Sequence, residues 1–211
     1  MGAFLPGITR ISAAMALITI AALTASAADR TAGVITPDGS PLFIDPFRAT
    51  LFDTPALAVS VTNRHSEPLS FTLRIWVFDS SSQLRGTMTW CTSTPVDRNM
   101  RGVFNIPLEI RGVTARDRGV VTVESAAGAR VRWALRETPD DQFAAALSEA
   151  RGSGGRLSME RLAREDREPF ICPCECADVQ AGCEKTCPRG GAAFTCSPFD
   201  VSSCAAGCTC K

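Results

Sequence analysis

The sequence predicts a mainly β protein: an antiparallel β-sandwich, then a short helical connector, then a small disulfide-rich C-terminal module. Three observations carry that expectation. Apolar residues between residue 31 and about residue 137 recur with period two, which places them on one face of a strand. Turn-forming residues break these runs at short intervals, with no long helical stretch between them. Nine of the ten cysteines fall in roughly the last forty residues.

The strands follow in order. Gly33–Thr36 and Pro41–Ile44 are short runs on either side of the turn Asp38-Gly39-Ser40-Pro41. In Ala56–Asn63, Leu57, Val59 and Val61 alternate; in Leu69–Asp79, Phe71, Leu73, Ile75 and Val77 do so after the polar turn Asn63 to Pro68. Gln83–Trp90 is a shorter run, closed by the turn-rich stretch Thr92–Arg101. Phe104, Ile106, Leu108 and Ile110 alternate next, ahead of Arg111-Gly112. Val121 and Val123, the turn Ala126-Ala127-Gly128, then Val131, Trp133 and Leu135 complete the set.

About eight short strands over roughly 100 residues suit an antiparallel sandwich. A parallel α/β sheet needs helical crossovers, and the chain leaves no room for them. This pattern resembles the immunoglobulin-like and fibronectin-like modules, and so implies an immunoglobulin-like β-sandwich. Such a fold hosts many functions and implies none by itself. The paired cysteines of antibody domains are absent, because Cys91 stands alone in this region. Two states are open to it: a small buried hydrophobe, or a partner for the odd cysteine of the tail, which would staple the tail to the sandwich.

Residues 1–27 are expected to be a signal peptide. Arg10 is their one charge; the apolar run Ile11 to Ala25 and the small triplet Ala25-Ser26-Ala27 follow it. The apolar run is too short for a spanning helix and is broken by Ser12, Thr19 and Thr24. The expected mature chain begins at Ala28, is periplasmic or extracellular, and has no membrane insertion after cleavage. Lys and Arg total 22 against 22 Asp and Glu, and loss of Arg10 shifts the balance by one charge. That neutrality argues against nucleic acid as a partner.

Four segments result: the signal peptide at 1–27, a sandwich domain at 28–137, a charged helical connector at 138–169 and a cysteine-rich module at 170–211. The connector opens on Thr138-Pro139-Asp140-Asp141, which supplies an N-cap, a proline at the first helical position and acids at the positive helix end. Phe143, Ala144, Leu147 and Ala150 give an apolar stripe, and Gly152-Ser153-Gly154-Gly155 should stop the helix. Arg156 to Glu168 mixes both charge signs around Leu157, Met159 and Leu162, as expected of a solvated short helix or linker.

The disulfide candidates are Cys91, Cys172, Cys174, Cys176, Cys183, Cys187, Cys196, Cys204, Cys208 and Cys210. From Cys176 the spacing runs C-x6-C-x3-C, C-x8-C and C-x7-C-x3-C-x-C, so a C-x6/7-C-x3-C unit occurs twice. Apolar residues are sparse here, and a segment this short needs cross-links to fold. In an extended chain, residues two apart are separated by about 6.6–7 Å, at or beyond the reach of a disulfide. The cysteines of Cys172-Pro173-Cys174-Glu175-Cys176 and of Cys208-Thr209-Cys210 should therefore pair with distant partners. The same spacing suits two thiolates on one soft metal ion. Cys172, Cys174, Cys176, Cys208 and Cys210 are the ligand candidates in that reading, with zinc or copper as the cofactor. An exported chain favours disulfides and no cofactor.

Cys183-Glu184-Lys185-Thr186-Cys187 and Cys204-Ala205-Ala206-Gly207-Cys208-Thr209-Cys210 resemble the trypsin-inhibitor-like cysteine-rich domain, which shows C-x3-C followed later by C-x-x-G-C-x-C. The resemblance implies a disulfide knot presenting a protease-binding loop between Cys187 and Cys204. Catalytic motifs do not emerge. His65 is the one histidine, in a polar turn, and neither G-x-S-x-G nor C-x-x-C occurs. The expectation is an exported, non-catalytic binding or structural interaction protein. Its partner would be a protein or cell-surface ligand, with metal-thiolate binding and protease inhibition as alternatives.

Overall fold

Alternation in the two longest apolar runs sets up two sheets. The computed structural model describes residues 30–52, 55–136, 139–151, 157–162, 187, 192–200 and 203–210. In the first sheet, β1 (Arg30–Thr31), β3 (Leu42–Ile44) and β4 (Thr50–Leu51) lie on one side of β5 (Ala56–Asn63). On its other side is β8 (Arg101–Pro107), antiparallel, with Leu57 opposite Ile106 and Val59 opposite Phe104. Leu57, Val59, Val61 and Ile106 are fully buried along one face.

The second sheet is larger. Its strands run in the order β11 (Met159–Leu162), β10 (Arg132–Leu135), β9 (Arg118–Ala127), β6 (Leu69–Phe78), β7 (Leu84–Val96), β13 (Ser203–Cys210) and β12 (Ala192–Asp200). Neighbours along that path are antiparallel, whereas β2 (Gly33–Ile35) adds to β9 in parallel. Phe71, Leu73, Ile75, Val77, Met88, Trp90, Val121 and Val123 join the buried residues of the first sheet in one core. At its centre, the ring of Phe71 lies 5.1 Å from that of Phe104 and 5.9 Å from that of Trp90. This aromatic contact joins β6 and β7 to β8 across the sandwich-like interior.

The opposite face of the second sheet is covered in part by α1 (Pro139–Ala150). Ala145, Ala146 and Ala150, with Leu157 beyond the helix, pack on Ile35, Trp76, Phe78, Leu84 and Val120. Small alanines allow the helix to approach the sheet closely. This second layer explains why Ile75-Trp76-Val77-Phe78 is apolar at every position, since β6 is buried on both faces there. The helix bounds agree with the cap and stop signals on either side of it. No helix among the described residues is long and apolar enough to cross a membrane.

Three segments differ from the sequence expectation. β7 does not end at Trp90 but runs through Cys91 to Val96. Pairing on both edges, to β6 and β13, holds it extended, and its threonines favour a strand. β8 ends at Pro107, and Leu108 and Ile110 reach the core from the loop that follows. The third correction is in the connector. Met159–Leu162 form strand β11 rather than a solvated helix or linker, with Met159 opposite Leu135 and buried. The exposed edge of β10 offers unpaired backbone groups, and β11 satisfies them.

One polar residue organises one end of the first sheet. Asn63 is fully buried, and its Nδ2 donates to the carbonyls of Glu67 at 2.9 Å and Val96 at 2.8 Å. Its Oδ1 accepts from the backbone N–H of His65 at 2.8 Å. The side chain thereby ties the turn after β5 to the end of β7.

Candidate functional site

The cysteines converge on one face of the larger sheet. β13 lies along β7 in antiparallel register from Ser203 opposite Thr92 to Thr209 opposite Gly86. Residues directly opposite in such a pair share a face, as do residues an even number apart on one strand. Cys204, Cys208 and Cys210 therefore share a face, and Cys204 stands directly opposite Cys91. On the outer strand β12, Cys196 is opposite Ala206 and takes the same face. That face is the one α1 packs on, because Cys210 touches the helix-side cluster while Met88 and Trp90 point into the inter-sheet core.

Glycine permits the hairpin to sit this close. A Cβ on Gly207 would collide with the backbone carbonyl of Glu109, and one on Gly86 with that of Cys208. The loop after β8 thus runs across the inner side of β13. There the Arg111 N–H donates to Thr209 Oγ1 at 3.0 Å. Contact of this kind makes β13 an internal strand with a covered inner face.

Cys187 and Cys210 are joined by a disulfide, with Cα atoms 5.3 Å apart and a sequence separation of 23. Cys91 and Cys208 also stand in disulfides. Cys208 Sγ lies 3.5 Å from Cys187 Sγ, a van der Waals contact because neither sulfur carries a proton to donate. Cys91, Cys187 and Cys208 are all buried, so these sulfurs serve cohesion rather than reactive chemistry. Cys172, Cys174, Cys176 and Cys183 lie outside the described residues, as do residues 1–27, where a signal peptide is expected. Among the described residues no cluster of three or more His, Cys, Asp or Glu side chains is arranged to hold a metal.

The stretch between Cys187 and Cys204, where the inhibitor resemblance implies an exposed loop, contains strand β12. His65 sits in the turn after β5; its Nδ1 accepts from the Glu67 N–H at 3.4 Å, and its ring meets Trp133 edge-on at 6.2 Å. It is a packed turn residue.

A threonine stripe beside the cysteines had no signal in the spacing. Thr72, Thr87, Thr89 and Thr122 are buried on the cysteine-bearing side of β6, β7 and β9. Thr87 Oγ1 donates to the Ile75 carbonyl at 3.1 Å, and the Arg74 guanidinium pairs with Glu124 across the strands. Their polarity suggests an exposed face, yet all four are buried.

Fold and site together define a mainly β protein of antiparallel sheets, with a cysteine-bearing hairpin continuing the larger sheet. The chain matches no family model, no curated protein and no solved structure.

Proposed function

We propose that this chain is an exported, non-catalytic binding or structural interaction protein whose disulfide-stapled C-terminal hairpin extends an immunoglobulin-like sandwich. One observation carries the reading. A hairpin built into the sheet has Cys208 and Cys210 in disulfides, and Cys91 and Cys187 are cross-linked too. Cross-links of that density belong to oxidising compartments, in keeping with the leader-like segment at 1–27.

Strand order supports the immunoglobulin-like part. β3 and β4, β5 and β8 take the places of strands A, B and E, while β10, β9, β6 and β7 take those of G, F, C and C′. The β12–β13 hairpin then continues the sheet beyond C′. A protein or cell-surface ligand is the partner in this reading, met by the enlarged sheet and its loops. Metal-thiolate binding is the weaker alternative, because sulfurs in disulfides offer no thiolate.

The test is the intact mass of the exported protein, with and without alkylation under denaturing conditions, together with its metal content. The expected result is a chain beginning at Ala28, without metal and without alkylation. Free thiols accompanied by zinc or copper would overturn the reading in favour of a metal site. A chain retained in the cytoplasm with its leader intact would remove the export.

A further inference from the structure

Both Cys91 and Cys208 stand in disulfides beyond the Cys187–Cys210 link; for the first of them we infer that Cys91 and Cys204 form a cross-strand disulfide locking the β12–β13 hairpin onto β7. The inference deepens the exported, oxidised reading and rests on it.

Cys91 is fully buried and stands in a disulfide. The register places Cys204 directly opposite it. Opposed residues of an antiparallel pair have Cα atoms about 4.5–5.5 Å apart, inside the roughly 4.4–6.8 Å range a disulfide spans. The other cysteines on the described backbone do not compete. Cys187 and Cys210 are joined to each other. Cys208 lies four residues further along β13, about 13 Å away at strand rise. Cys196 is a strand further out on β12, offset by two residues, about 10 Å or more from Cys91. Cys204 alone among them is within reach.

The bond forms when the Cys91 and Cys204 thiols give up two protons and two electrons to a disulfide-bearing oxidant, which leaves as two thiols. The consequence reaches beyond a local staple. The link closes most of the second half of the chain into a covalent loop, so the hairpin cannot leave the sheet without reduction. It fixes the register that puts Cys208 and Cys210 on the same face as Cys91. The edge offered to a partner then becomes β12 rather than β7.

The experiment uses the exported full chain, alkylated without reductant and digested with trypsin and an Asp-specific protease. The expected product is the fragment carrying Cys91 linked to the fragment 200–211, which also carries the Cys187 fragment through Cys210 and the partner of Cys208, with fragmentation placing the Cys91 bond at Cys204. As a second measurement, Cys204→Ser should release Cys91 for alkylation, one added label at that residue, whereas Cys196→Ser should not. Should the Cys204→Ser chain fail to accumulate, the wild-type fragment map decides alone. Cys91 linked to Cys172, Cys174, Cys176 or Cys183 would overturn this pairing and leave the oxidised, exported reading standing. Alkylation of Cys91 together with every other cysteine would overturn both.

Discussion

At the scale of single residues, two side chains do more than fill space. Phe71 meets Trp90 and Phe104 where the two sheets face each other. Phe71→Ala should cost about 3–5 kcal/mol in urea unfolding, since the surrounding strands cannot collapse into the space left. Asn63 acts through polarity instead. Asn63→Ala strands the Val96 carbonyl and the His65 N–H in a buried site, and should cost about 1–3 kcal/mol in the same measurement. A further residue-scale effect is steric. Gly207→Val would drive a side chain into the Glu109 backbone. Amides of residues 203–210 should then exchange freely, while those of β6 stay protected in the same sample.

At the scale of elements, the legible parts are those whose cause is local. β5 and α1 could be placed from the chain because alternation, caps and glycine stops act within a few residues. β11 could not, although Leu157 and Met159 carry a period of two. Two apolar residues among charges suit a linker equally well, and the decision lies with the open edge of β10, distant in sequence. α1 is likewise recognisable as a helix, but its seat on Trp76, Phe78 and Val120 is not. That seat makes a prediction. Ala146→Glu places a carboxylate under the helix at a fully buried position, and should destabilise the protein by about 4 kcal/mol in thermal or chemical unfolding.

At the scale of the whole molecule, cohesion is divided between a large apolar core and a cross-linked edge. The Cys187–Cys210 link closes a loop that loop entropy values at about 3 kcal/mol. Replacing both cysteines by serine should lower unfolding stability by about that amount and leave the native Trp90 environment in place. Reduction of the whole chain should act unevenly. Hydrogen exchange is expected to rise first in β12 and β13, which depend on cross-links, and last in β6, which lies in the middle of the larger sheet with both faces buried. Uniform loss of protection across both sheets would contradict this division.

The sequence by itself determined the mainly β character, the faces of the central strands, the helix at Pro139–Ala150 and the crowding of cysteines at one end. These are properties of residue type and short-range spacing, which need no knowledge of neighbours. Only the tertiary structure decided that the tail continues the larger sheet, that β7 outruns its expected end and that Cys91 faces Cys204. Strand pairing joins residues more than a hundred positions apart. Its register is set by which buried faces and backbone edges fit one another, not by any local signal.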